Sequence, residues 1–328
     1  EISCSLVGSE MCIRDRDVAT SENTIKESIA QIYIQILYAA ESVRVNENTL
    51  QVSIAQRDRG QELLNAGSIA KSDLAQLEAQ VSTDRYQLVT AQATLQDYKL
   101  QLKQLLELDG ENEMNVYLPK LSDENVLAPL PAKKDVYVSA LAIRPEIEAS
   151  KLNVEASELG IDIAKSSYLP TISLSAGIGT NHTSGSDFTF GEQVKNGWNN
   201  SFGLSVSVPI FNNRQTKSAV QKAKLQRETN MLSLLDEQKA LYKTIESLWL
   251  DANSAQQRYA AANEKLRSTQ ISYDLISEQF NLGMKNTVEL LTEKNNLLQA
   301  QQEQLQAKYM AILNTQLLKF YQGDKLTL

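Results

Sequence analysis

The sequence predicts a mainly α-helical chain with one β-hairpin. The helices form two repeats of a long, coiled-coil-like antiparallel hairpin, and the strands between them have the length of transmembrane strands. Three observations predict this. Helix breakers are scarce, with 13 Gly and 6 Pro in 328 residues, while Ala, Gln, Leu, Glu, Ser and Lys fill long stretches, as in long helices rather than a compact mixed fold. A shift of 216 residues, which carries Ile25 onto Leu241, aligns two long segments without a gap. Between these segments lie two stretches of strict apolar/polar alternation.

Residues 1–16 stand apart. They hold both cysteines, Cys4 and Cys12, show no periodicity, and lack the basic start, apolar core and small-residue cleavage site of a signal peptide. Met11-Cys-Ile-Arg-Asp-Arg16 back-translates to ATG TGT ATA AGA GAC AG, which resembles a transposon-type sequencing adapter read as protein. The segment is therefore expected to be an artefact without regular structure, joined to a gene truncated at its 5′ end. A Cys4–Cys12 disulfide is the functional alternative. The rest of the chain is free of cysteine, which fits an oxidising compartment.

The first helical hairpin is predicted over 17–107, with its turn near 65–70. Ile25, Ile29, Ile32, Ile36, Ala39 and Val43 step by alternating fours and threes. Past the turn, Leu74, Leu77, Val81, Leu88, Ala91, Leu95, Tyr98, Leu102 and Leu105 hold the same register, interrupted only by polar Asp84. Such alternation is the seam of packed helices. No proline occurs from Val18 to Leu118 or from Ile210 to the end, so nothing forces a break.

Residues 108–143 follow as a connecting region, irregular through about residue 134, with Pro119, Pro129 and Pro131. A helix over 144–168 starts near Arg144-Pro145, proline suiting a first turn. The β-hairpin occupies 169–211. Ile172, Leu174, Ala176 and Ile178 face one way against Thr171, Ser173, Ser175 and Gly177. Phe202, Leu204, Val206, Val208 and Ile210 repeat the pattern. Both strands have about the 9–11 residues of a transmembrane barrel strand. The loop 180–200 between them is polar, with aromatic residues such as Tyr168, Trp198 and Phe211 near the strand ends.

The second helical hairpin covers 212–322, with its turn near 281–286, and 323–328 is a tail. The uninterrupted stretch Arg214–Phe280 makes a helix on the order of 100 Å long. Leu64-Asn-Ala-Gly67 of the first hairpin aligns with Phe280-Asn-Leu-Gly283 of the second, and Asn and Gly stand where a helix stops. Two copies of one supersecondary unit is the simplest account. Tyr33 and Trp249 correspond under the shift and are expected as large knobs in the seam.

Several function classes fall away. A net charge of −8 with no basic block argues against nucleic acid as a partner. No run approaches 20 apolar residues, so no helix is expected to span a bilayer, a test that barrel strands escape. The single histidine, His182, sits in a polar loop without a metal-ligating or acid–base partner set in sequence. Neither a phosphate-binding glycine loop nor a serine elbow is present. Neither catalysis nor a cofactor is expected.

Arg144-Pro-Glu-Ile-Glu, Ala164-Lys-Ser-Ser-Tyr-Leu-Pro170, Pro209-Ile-Phe211-Asn-Asn, Gly283 followed by Glu289-Leu-Leu, and Tyr321-Gln-Gly323 together resemble the signature run of TolC-like outer-membrane efflux proteins. The resemblance covers about residues 18–323. It implies a homotrimer in which each protomer gives four strands to a barrel in the outer membrane and helices to a periplasmic α-barrel. Only the second strand pair is present here.

On this resemblance the function is a passive exit duct for tripartite efflux or type I secretion, not an enzyme. Its partners would be a periplasmic adaptor protein, an inner-membrane transporter and outer-membrane lipid. Asp73 and Glu289, each six residues past a turn glycine, match a ring of carboxylates at the periplasmic entrance. Any helix start also favours an acid in its first turn. Thr292 stands where some members carry a second acid. Lys285 lies near a position where some members carry a basic residue that helps hold the entrance shut. The tips Ala66, Gly67 and Ser68, and Leu282, Gly283 and Met284, are where an adaptor would dock. The rivals are a periplasmic adaptor, which would need Gly-rich β segments around one hairpin, and a soluble coiled-coil scaffold, which leaves the alternating strands unexplained.

Overall fold

A computed structural model describes residues 2–108, 115–119, 126–185 and 187–326, with the side chains of residues 2–7 and 9 outside that description. Residues 109–114 and 120–125 of the expected connecting region, and 327–328 of the tail, also lie outside it. The elements run α1 Ile2–Asn65, α2 Lys71–Leu105, α3 Lys133–Ile143, α4 Pro145–Ser166, β1 Thr171–Gly179, α5 Phe190–Asn196, β2 Asn199–Ser207, α6 Gln215–Asn281 and α7 Thr287–Gln322. The chain divides into two compact units. One comprises 17–146 and 238–328, the other 1–16 and 147–237.

The larger unit holds most of both helical hairpins; the first turns of α1 and of α6 belong to the smaller one. Of the seam expected on α1, Ile36 and Ala39 are buried, whereas Ile25 is exposed; Ile34 and Leu37 are buried beside them. These two pack on Tyr309, Leu313 and Leu317 of α7, with Tyr33, Tyr38 and Leu248 at the margin. On α2 every expected seam position is buried or half-buried, and so is Asp84. Val126, Ala255, Tyr259, Ala307 and Ala311 form a second cluster. Near the turns, Leu63, Leu77, Phe280 and Leu290 form a third, joining the two hairpins. Gly60 lets α1 approach there: a Cβ at that position would come within 2.4 Å of the Leu77 Cδ1.

Tyr33 and Trp249 do more than fill the seam. The Tyr33 hydroxyl donates to the Tyr117 carbonyl at 2.8 Å, and the Trp249 indole N–H donates to the Pro131 carbonyl at 3.1 Å. Equivalent aromatic residues of the two repeats thus each tie down a piece of the connecting region. That region also contains a helix the sequence did not suggest. In α3, Val136 and Ala140 are wholly buried and Lys133 pairs with Glu246 at 3.1 Å. Eleven residues with two inward positions are too few to show a period. Pro145 then forces an extended conformation on Arg144 (ψ 124°), so the helix ends and α4 restarts at the proline.

Arg144 is buried at that break, where it bonds Glu27 at 2.9 Å and Glu146 at 2.8 Å and lies 3.9 Å from the Tyr321 ring centre. Burial, followed by the nearby Glu27 carboxylate, pushes the Tyr321 hydroxyl up to about 12. The folded chain therefore holds this proton more tightly than the unfolded chain does. Stability is full below about pH 10 and falls as the pH climbs through about 12, by roughly 3 kcal/mol in all. Urea midpoints across that range check it, and Tyr321→Phe should flatten the slope.

In the smaller unit, β1 and β2 pair antiparallel with Ile172 opposite Val206, Leu174 opposite Leu204 and Ala176 opposite Phe202. The other face pairs Thr171 with Ser207, Ser173 with Ser205 and Gly177 with Ser201. Pro209, which has no N–H for a ladder, follows the last pair. The polar loop contains α5, started by Thr189 and Glu192, whose carboxylate accepts from the Thr189 N–H at 3.0 Å. His182 contacts Gln193 at 3.1 Å and packs edge-on against Phe190.

The expected absence of structure before residue 17 is overturned. The helix starts at Ile2 and runs without interruption into the first hairpin. No proline interrupts it, and Arg16 pairs with Glu148 of α4 at 3.2 Å. Cys12 is a free, exposed thiol; the Cys4 side chain lies outside the described residues.

Candidate functional site

The two hairpin tips, both in the larger unit, are built alike. At the first, the Ser68 N–H donates to the Leu63 carbonyl at 2.8 Å and the Gly67 N–H to Leu64 at 2.9 Å. At the second, Met284 donates to Gln279 at 2.8 Å and Gly283 to Phe280 at 2.9 Å. This pattern closes a helix with a left-handed residue, and Gly67 and Gly283 supply it with φ of 73° and 75°. Ala66, Gly67, Ser68, Leu282, Gly283 and Met284 are all exposed, Leu282 and Met284 by 69% and 70%. The Arg59 guanidinium donates to the Asn281 carbonyl at 3.1 Å, so the tips stand side by side.

Both expected entrance acids start helices. The Asp73 carboxylate accepts from the Ala70 N–H at 3.0 Å. Ala70 has no side-chain acceptor to return the bond, so half a capping box forms. The second copy is complete: Asn286 accepts from the Glu289 N–H at 2.8 Å, and Glu289 accepts from the Asn286 N–H at 3.3 Å. Lys285 reaches Glu289 at 2.7 Å. That hydrogen bond, then the one from Asn286, holds the Glu289 carboxyl below its ordinary value.

Deeper in the seam lies a group that the sequence did not reveal. The Lys294 ammonium donates to the carboxylate of Asp84 and to the hydroxyl of Ser53, and Ser53 also donates to Asp84. Gln80 donates to the other Asp84 oxygen at 2.9 Å. Asp84, Ser53 and Lys294 are 1%, 2% and 3% exposed. Burial pulls Lys294 below its ordinary value, against the opposing pull of Asp84. The signal for this cluster was the polar break in an apolar seam. Of the signature residues, Arg144 and Pro145 sit at the α3–α4 break, Pro170 precedes β1, and Pro209 and Phe211 follow β2, Phe211 being 85% exposed.

Fold and site together define a class: paired helical-hairpin repeats and a β-hairpin with an exposed apolar face. Comparison with known proteins makes this particular. The family model described as outer membrane efflux protein matches residues 136–323, more than half of the chain. The chain belongs to the outer membrane efflux protein family. It is 26% identical to the outer membrane efflux protein BepC of Brucella suis biovar 1 (strain 1330) over 294 residues, 89% of this chain and 61% of that protein. It is 25% identical to the outer membrane protein TolC of Escherichia coli (strain K12) over 315 residues, 92% and 62% of the two chains. The chain thus spans less than two thirds of these relatives. The solved outer-membrane channel OprN superposes with a TM-score of 0.79 at 17% identity, covering 97% of this chain and 69% of that one.

Proposed function

We propose that this chain is the larger part of one protomer of a homotrimeric, passive exit duct in the outer membrane of a Gram-negative-type cell. The duct would serve tripartite efflux or type I secretion, docked to a periplasmic adaptor and an inner-membrane transporter. The observation that carries this is the apolar face of β1 and β2. Ile172, Leu174, Ile178, Phe202, Leu204 and Val206 are 59% to 85% exposed. Among the described residues these strands form one two-stranded sheet, which is marginal alone in water. In a barrel shared between chains the apolar face meets lipid and the serine face meets water. A periplasmic adaptor or a soluble scaffold would leave that face uncovered.

In this duct the helical hairpins line a periplasmic tunnel, and the exposed tips are the adaptor's docking surface. Asp73 and Glu289 of three chains form an inward ring of carboxylates, with Lys285 neutralising Glu289 when the entrance is closed. The test separates charge from capping. Asp73→Asn with Glu289→Gln keeps a side-chain acceptor at both helix starts but removes the charge. In planar bilayers the assembled parent should conduct steadily and favour cations. The double variant should conduct with much of that selectivity lost and with weaker block by multivalent cations from the periplasmic side. Absence of conductance in the assembled parent would defeat the duct; unchanged selectivity in the variant would leave both acids as helix-start residues only.

A further inference from the structure

We infer that the buried Ser53–Asp84–Lys294 cluster is a pairing code, which makes the first helical hairpin accept the second and refuse another copy of itself. The need for such a code follows from the repeat. Two hairpins with one seam pattern and one turn geometry are near-equivalent partners, and several chains together present many combinations. Apolar seams alone discriminate weakly among them, because a leucine accepts any leucine of similar depth.

The cluster lies where the two copies differ. Under the shift that superposes them, Asp84 falls on Ala300 and Lys294 falls on Glu78, while Ser53 falls on Thr269. Within one chain, Asp84 of α2 meets Lys294 of α7, and Ser53 of α1 accepts a further hydrogen bond from the ammonium. A first hairpin packed the same way on a second copy of itself would bring Asp84 against Glu78. A second hairpin on its own copy would set Lys294 against Ala300, with no counter-charge. Either arrangement leaves a buried charge unpaired or facing a like charge, and such penalties are how specificity against a wrong partner is built. Ala300 is wholly buried and Glu78 is exposed, so the copies have diverged in burial as well as in charge. Just outside the cluster, Gln80 and Asn295 contact each other at 3.4 Å and bridge the same pair of helices. The inference goes beyond the duct and does not depend on it, because it concerns only which helical hairpin packs on which.

The test uses the full chain with Cys4 and Cys12 replaced by Ser. Cysteines at Gln80 and Asn295 report pairing within the chain through a short bis-maleimide. A co-refolded mixture of chains with Gln80→Cys alone and Ala79→Cys alone reports the first hairpin meeting its own copy, since Ala79 is the repeat equivalent of Asn295. In the parent cluster, links within the chain should dominate. Asp84→Leu with Lys294→Met keeps the seam filled and removes the code; the ratio of between-chain to within-chain links should rise about tenfold or more. A parent-like ratio in that folded variant would overturn the inference. Should it not fold, Asp84→Lys with Lys294→Asp decides alone. It keeps an ion pair within the chain but offers Glu78 of another copy an opposite charge. A raised ratio supports the code, and a parent-like ratio overturns it.

Discussion

Phe280→Ala is expected to lower the stability of the chain by about 3–5 kcal/mol, the usual cost of emptying a buried aromatic position. Phe280 is 2% exposed in the last turn of α6. It packs with Leu63 of α1, Leu77 of α2 and Leu290 of α7, with Tyr273 and Ile276 beside them. All four long helices therefore lose contacts together. The surroundings have little freedom to collapse, because the Arg59–Asn281 bond and the two glycine turns fix the backbone close by. Urea unfolding in detergent, followed by helical ellipticity, measures the loss. A cost below about 1 kcal/mol would mean that the cluster relaxes into the space, or that the hairpins do not share a core there.

Leu204→Lys should cost about 2–4 kcal/mol if its side chain sits near the middle of the hydrocarbon layer. Leu204 stands opposite Leu174, one pair from the centre of the nine-residue pairing and on its apolar face. A lysine there must bury its ammonium in lipid or bend away from its partner strand. Ser205→Lys is the internal control. It lies one residue away on the polar face and should cost far less, because that face meets water. The yield of assembled trimer in the outer membrane, followed by unfolding from liposomes, separates the two variants. Equal behaviour would point to a sheet with water on both sides.

The long helices and the strand faces were legible because each repeats a period many times. The seam from Leu74 to Leu105 fell on buried or half-buried positions throughout. Isolated features were not legible. The helix Lys133–Ile143 and the seven-residue helix in the polar loop are too short to display a period. The segment before residue 17 lacks an apolar stripe, yet nothing in it stops a helix that is already running. Asp84 looked like a blemish in the seam because its partner Lys294 is 210 residues away. Arg144 shows in the sequence only as a helix start and part of a signature; its contacts with Glu27 and Tyr321 join segments that no local pattern connects. For the two tip acids, sequence and geometry agree on placement at a helix start.

The distance along the chain between Ser53 and Lys294 also sets a clock. They are separated by 241 residues, roughly 12–50 seconds of synthesis at common ribosomal rates. For most of that interval the first hairpin is complete in sequence but carries the Asp84 carboxylate in its seam without its counter-ion. Desolvating that carboxylate is costly, so the seam is expected to close fully only when α7 delivers the lysine. In the proposed outer-membrane duct, such a delay would keep the polypeptide threadable on its way to the membrane. The ion pair then commits the fold late, once nearly the whole chain has been made.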